Sequence, residues 1–462
     1  MDWTQLLSTQ KLAPEEAEPK QFEDYPINAF EKDFNKIVSS AVFRRLQDKT
    51  QVFPLDKSDF IRTRLTHSIE VSTIARQLGI MVSKNTTPHR PVDITPPIAE
   101  DISSVLLCAG LLHDLGNPPF GHFGETVIGE WFQNNLRKLS YKNGKTVREL
   151  LSDQMAKAKH ASGINLSAAV MSALVKYPVD SRSADSENPD VRRHKTGYFL
   201  AEKDVFFQVA GTVGTLCEDG TITRHPLAYL LEAADDIAYR TADLEDAFKK
   251  GLFTLPAFID FFEAGYDHAS VNVLCGSTYT QEHYSDKLLS DLKRRLEQQP
   301  EEDAFSSWMK YTRQWLMHNT VFRFSHDYAQ IMGGTCSKEL FFDVNHTLTM
   351  QIFKRMMEAF VFCSPGILKL ELSAQTILSF LLDRFIRAVL YYGYEETDYK
   401  LTQADKKLLH LLSENYRNDY EASKTGDEAY DLYLRLLMVT DYISGMTDSY
   451  ARTLYRELSG IE

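Results

Sequence analysis

Residues 105–125 read V-L-L-C-A-G-L-L-H-D-L-G-N-P-P-F-G-H-F-G-E. The run 105–112 is wholly apolar or small, the pattern of a buried helix rather than of a surface one. His113 and Asp114 stand at its end, followed by a Gly-Pro-rich turn. Polar groups placed there need partners, because an unpaired buried donor or acceptor is costly. His122 and Glu125 then open the next helical pattern. Two adjacent ligand-type residues at the end of a buried helix suit a metal site whose other ligands come from elsewhere in the chain.

Upstream, residues 62–79 form an amphipathic helical pattern with His67, Val71, Ile74 and Leu78 on one face, closing at Gly79. Before it, a helical pattern starts at Asn28, and 43–53 (F-R-R-L-Q-D-K-T-Q-V-F) is a basic, amide-bearing segment that ends at Pro54. Residues 11–25 read as a loose acidic arm, and Pro88, Pro91, Pro96 and Pro97 mark a long loop. Downstream, helical patterns cover 125–139 and 164–177, with a poorly patterned polar interval at 142–160. Residues 180–194 are charged and read as an exposed loop. Residues 205–223 mix β-branched side chains with the turn Glu218-Asp219-Gly220, which predicts a small hairpin. Pro226 starts a strong helix closed by Lys249-Lys250-Gly251. Beyond it, helical patterns at 341–362, 370–391, 402–420 and 429–458 dominate, so the expected fold is all-α.

That long helix supplies the third element of a site. His67, His113, Asp114 and Asp235 together make a set of two imidazoles and two carboxylates, suited to a six-coordinate divalent ion such as Mn, Mg, Fe, Co or Ni. Asp235, Tyr239 and Asp243 follow at i, i+4 and i+8, about 6 Å of rise per step, and so line one wall. Each piece alone is weak. With 13 histidines a His-Asp dipeptide arises by chance, and the second one here, His326-Asp327, reads as an ordinary polar pair. Asp235 and Asp236 could equally belong to a solvated acidic face paired by Arg240. The combination of three elements favours the site.

Composition narrows the class. A chain of 462 residues with 43% hydrophobic and 25% charged content is an ordinary globular protein. A net charge of −13 argues against stable duplex-DNA binding and leaves room only for a local basic pocket or a strip for single-stranded DNA. Cys108, Cys217, Cys275, Cys336 and Cys363 are scattered, odd in number and form no C-x-x-C, the usage of a reducing compartment. No leader pattern opens the sequence and no apolar stretch reaches the roughly 18 residues of a membrane helix. A cytoplasmic protein with no membrane partner is expected.

The segments F-R-R-L-Q-D-K-T-Q-V-F, R-T-R-L-T-H-S-I-E-V, H-D-L-G-N-P-P-F-G-H-F-G-E, E-A-A-D-D-I-A-Y and S-G-M-T-D (444–448) resemble the bacterial deoxyguanosine triphosphate triphosphohydrolases. These are HD-domain proteins, with the vertebrate SAM-and-HD-domain dNTPases as more distant relatives. The similarity is spread over most of the chain and is poor at 140–160 and 255–335. It implies an HD-domain catalytic core at 1–260, a helical accessory region at 261–462, and a homo-oligomer. It also implies cleavage of a dNTP, with dGTP preferred, to deoxynucleoside and intact triphosphate.

Carried over by residue, the resemblance makes His67, His113, Asp114 and Asp235 the metal ligands, with Asp235 preferred over Asp236, and His122 and Glu125 the catalytic pair. A protonated imidazole held by a carboxylate suits a poor alkoxide leaving group. Gln51 and Asp243 match positions at the sugar 3′ hydroxyl, and Tyr239 matches the ring that packs where a 2′ hydroxyl would need room. Arg64, Lys176, Tyr177 and Lys195 match phosphate-binding positions, where cations would counter a ligand of about −4 charge. The chain departs from the family at 145–162, K-T-V-R-E-L-L-S-D-Q-M-A-K-A-K-H-A-S, where F-x-G-N-A-Q is usual. Two other functions remain open on these residues: an HD phosphohydrolase acting on another nucleotide, and a nucleotide sensor with little turnover.

Overall fold

The computed structural model describes residues 1–14, 27–53, 60–139, 141, 147, 164–265, 281–342, 344–393 and 401–461. Most of the loose arm expected at 11–25, Pro54, and the interval 142–162 apart from Val147 lie outside the described residues. The helices that matter for the site are, in chain order, α1 (Ala29–Ser39), α2 (Arg64–Ser83), α3 (Pro96–Leu112), α4 (Gly121–Asn135) and α5 (Ala168–Leu174). They continue with α6 (Lys203–Val213), α7 (Pro226–Lys249), α8 (Glu301–His326), α9 (Pro365–Val389), α10 (Glu428–Ser444) and α11 (Asp448–Ser459). Among the described residues strand pairing is confined to the single bridges Lys11–Ser167, Thr50–Thr63 and Leu216–Ile222. The fold is all-α.

Capping explains several boundaries. Asn28 closes a capping box with Glu31 and starts α1. Pro226 occupies the first turn of α7, where its missing N–H is no loss, and His225 caps the end by accepting from Leu227 N at 3.1 Å. Several expectations change, among them the pattern at 402–420, which is two helices, Gln403–Leu411 and Glu414–Ser423. The helix expected to close at Gly79 runs on to Ser83, because Gly79 is a contact position: a Cβ there would lie 2.9 Å from Leu106 Cδ1. Residues 203–213 are helical instead of strand. Val205, Val209 and Val213 recur every fourth residue and pack against Ala168 and Met171, so tertiary burial outweighs β-propensity. What remains of the hairpin is the one bridge Leu216–Ile222 around Gly220, whose φ is +81°. Finally, the pattern at 429–458 is two helices, broken at 445–447, with Thr447 capping α11 by accepting from Tyr450 N at 3.2 Å.

The chain forms two compact units, each assembled from separate segments. One comprises Met1–Ser40, Thr66–His113 and Ile164–Ser364; the other comprises Ala41–Leu65, Asp114–Gly163 and Pro365–Glu462. In the first, α7 packs on α8, and Phe248, Phe253, Phe258, Phe305 and Trp308 form an aromatic cluster at that end of α7. In the second, α9 packs on α4, α10 and α11, and Trp131 Nε1 donates to Asp383 Oδ1 at 3.0 Å. The chain passes from the first unit to the second at the peptide bond between His113 and Asp114. His326-Asp327 is an ordinary polar cluster at the end of α8, where Asp327 accepts from His326 and from Arg323.

Candidate metal and phosphohydrolase centre

Small residues bring the two histidines together. Gly110 of α3 lies so close to α2 that a Cβ would stand 2.3 Å from Ser72 Cα, and this contact carries His113 to within 5.2 Å of His67, centroid to centroid. Substitution Gly110→Ala is therefore expected to destabilise the fold by about 1–3 kcal/mol, since backbone atoms cannot yield as a side chain would. Urea unfolding of the variant measures it. A variant as stable as the parent would show that the two helices separate freely.

His113 Nδ1 donates to the Gly110 carbonyl at 2.7 Å, which leaves the lone pair on Nε2. That nitrogen stands 3.4 Å from Asp235 Oδ1, and His67 Nε2 stands 3.2 Å from the same oxygen. Ligand atoms of His67, His113 and Asp235 all fall within 4.8 Å of one another. His67 is fully buried, and its Nδ1 has no partner among the described residues. Two imidazole nitrogens and a carboxylate oxygen converging in this way fit a divalent cation. The other oxygen, Asp235 Oδ2, pairs with Lys176 Nζ at 2.9 Å. Burial raises the Asp235 carboxyl, but the Lys176 ammonium first and the two histidines after it hold it well below the usual carboxylate range. Lys176, matched to a phosphate-binding position, thus sits directly against the carboxylate of the ligand set.

Arg224 fixes that lysine, and no sequence pattern pointed to it. Its Nε donates to the Lys176 carbonyl at 2.5 Å, its Nη1 pairs with Glu232 Oε2 at 2.6 Å, and its guanidinium lies over the rings of Tyr177 and Tyr229. The i,i+4 pair considered as the bland alternative does form, but from Arg240 to Asp236 at 3.4 Å, which leaves Asp235 to the histidines and Lys176. Further along α7, Asp243 is buried and Tyr239 partly so; burial, then the Asp243 charge, push the Tyr239 phenol up. Lys195 is exposed.

The second unit holds the remaining candidates. Arg64 Nη1 pairs with Asp114 Oδ1 at 2.8 Å, and Asn117 Nδ2 donates to that oxygen at 2.6 Å. His122 and Glu125 are exposed on the first turn of α4, one helical turn apart. The glycines of P-P-F-G-H-F-G-E have distinct reasons. Gly121 has φ of +68°, and Gly124 admits no Cβ because the Pro119 carbonyl oxygen would be 2.1 Å away. Gln51 is buried at 8% exposure, and its Oε1 has no partner among the described residues, as an amide kept for a ligand would be. Beside it, burial and then the Arg64 charge pull the Lys49 ammonium down to about 8.

An all-helical fold with a histidine–aspartate cation centre at the end of a buried helix defines the class of HD-domain proteins. Residues 64–172 match the model of the HD domain, and residues 341–457 match the phosphohydrolase-associated domain. The chain is 41% identical to the deoxyguanosinetriphosphate triphosphohydrolase-like protein of Listeria monocytogenes, over 94% of each chain. It is 32% identical to the protein of that description in Synechocystis, over all of both chains. With the deoxyguanosinetriphosphate triphosphohydrolase of Yersinia enterocolitica it shares 30% identity over 100% of this chain and 99% of the other. The chain belongs to the deoxyguanosinetriphosphate triphosphohydrolase family of HD-domain proteins.

No helix among the described residues is long and apolar enough to cross a membrane.

Proposed function

We propose that this chain is a metal-dependent dNTP triphosphohydrolase that prefers dGTP and releases deoxynucleoside and inorganic triphosphate. The observation that carries the reading is the convergence of His67, His113 and Asp235 on one point, with Lys176 on the far oxygen of the same carboxylate. In this reading Asp114 completes the ligand set. These residues would hold a divalent ion, Mn or Mg in the first instance, which would supply stabilisation of the negative charge on the α-phosphoryl oxygens.

The chain's own residues do the rest. A water oxygen adds to the α-phosphorus as its bond to the 5′ oxygen breaks, His122 gives its proton to the departing 5′ oxygen, and Glu125 keeps the imidazole charged and oriented. Arg64, Lys176, Tyr177 and Lys195 meet the triphosphate. Gln51 and Asp243 hold the 3′ hydroxyl, and Tyr239 closes the space a 2′ hydroxyl would occupy. We propose 1–260, which holds the residues assigned to metal and substrate, as the catalytic core and 261–462 as the accessory region. We further infer a cytoplasmic homo-oligomer.

Product analysis tests this directly. The four dNTPs, GTP and dGMP are incubated with protein stripped of metal and re-supplied with Mn, Mg, Fe, Co or Ni. Inorganic triphosphate released from dGTP faster than from the other nucleotides is the expected result. Release of pyrophosphate or orthophosphate, or a faster reaction with GTP or dGMP, would overturn it.

A further inference from the structure

Helix α4, which carries His122 and Glu125, begins without a local cap: Phe120 stands at the capping position and its side chain accepts no backbone hydrogen bond. Phe120 is also a non-glycine residue in the left-handed region, with φ of +67°, followed by a second left-handed residue, Gly121. Gly121 takes that conformation freely, but a phenylalanine there is strained unless neighbouring groups hold it. The group that holds it comes from the far end of the sequence. Asp448 Oδ1 accepts from Phe120 N at 2.8 Å. Its other oxygen accepts from Thr50 N at 3.1 Å and from the Thr50 hydroxyl. Thr50 precedes Gln51, whose carbonyl oxygen would be 3.4 Å from a Cβ on Gly121. The same joint is closed from the other side by Lys49, whose Nζ donates to Asn117 O at 2.7 Å and to Ser444 O at 2.5 Å.

We propose that Asp448 is a positioning residue for the reaction, setting the first turn of α4 against the Gln51 segment through its three hydrogen bonds to Phe120 and Thr50. The inference rests on the reading above in which His122 is the general acid and Gln51 a sugar contact. Asp448 is 2% exposed and both its oxygens are already engaged, so it acts through these backbone segments and touches no reacting atom. It also explains why S-G-M-T-D interrupts a helical pattern. The break at 445–447 turns the chain so that the carboxylate at the start of α11 reaches the turn before α4.

The variant Asp448→Asn keeps the volume and sets an NH₂ group against one of the two backbone N–H donors. Its kcat for dGTP is expected to fall at least tenfold, because misplacing a proton donor by about 1 Å costs on the order of 10²-fold. Its bound metal stays at the parent value, its melting temperature falls by only a few degrees because a buried amide donor now faces a backbone donor, KM changes less than threefold, and the alkaline limb of the pH–rate profile, which reports the general acid, shifts. Thr50→Val, which removes one donor and preserves shape, gives a smaller loss of the same kind and serves if Asp448→Asn fails to fold. Parent-level kcat in a folded Asp448→Asn or Thr50→Val protein, or a loss confined to KM with the pH profile unmoved, overturns the inference. His122→Ala in the same assay separates the two levels. If that variant retains full turnover the general-acid reading itself fails, whereas its inactivity beside an unimpaired Asp448→Asn sinks the positioning role alone.

Discussion

Replacing Asp235 with asparagine is expected to remove the bound divalent ion and lower turnover by about 10³-fold or more. The reason lies in the double use of one carboxylate. Its Oδ1 is the shared neighbour of two imidazole nitrogens and its Oδ2 is the counter-charge of Lys176. An amide offers one weaker oxygen to the cation and a donor to an ammonium. Loss of metal-assisted charge stabilisation is worth several kcal/mol, and each 1.36 kcal/mol is tenfold in rate. Metal content by atomic emission and kcat across a Mn titration measure both parts. The control is Asp236→Asn, which alters the neighbouring carboxylate that pairs with Arg240 and should leave metal content unchanged. Equal losses from the two variants would remove Asp235 from its assigned place.

His122→Ala is expected to lower kcat for dGTP by about 10²- to 10⁴-fold, the usual contribution of a positioned general acid, with metal content intact. His122 is exposed on the first turn of α4, so the melting temperature should hold within a few degrees. The alkaline limb of the pH–rate profile should vanish with the imidazole, since no group at that position then titrates near neutrality. Stopped assays of triphosphate release between pH 5 and 9 provide the comparison. A variant that binds dGTP with metal present and shows the parent's basal signal would favour a nucleotide sensor instead.

The elements that carry these residues were readable from local pattern. The apolar run before His113, the face of His67 with Val71, Ile74 and Leu78, and the Pro-started helix bearing Asp235 all appear where expected, because side-chain period and capping are encoded within a few residues. Two errors came where burial by a distant element outvoted the local signal. Gly79 looked like a stop and is a contact with Leu106; the valines of 205–213 looked like strand and are the buried stripe of α6.

On its own, then, the order of residues determined an all-helical protein, the class of chemistry and the residue types that could perform it. Only the tertiary structure decided who meets whom. It brought Lys176 onto the far oxygen of Asp235, Arg224 onto the Lys176 carbonyl, Gly110 against Ser72, and Asp448 onto the backbone of the turn before α4. The physical reason is range. Helical faces and caps arise from neighbours three or four positions away, whereas an ion pair or a close backbone contact between remote segments depends on how whole helices pack, which no short spacing records.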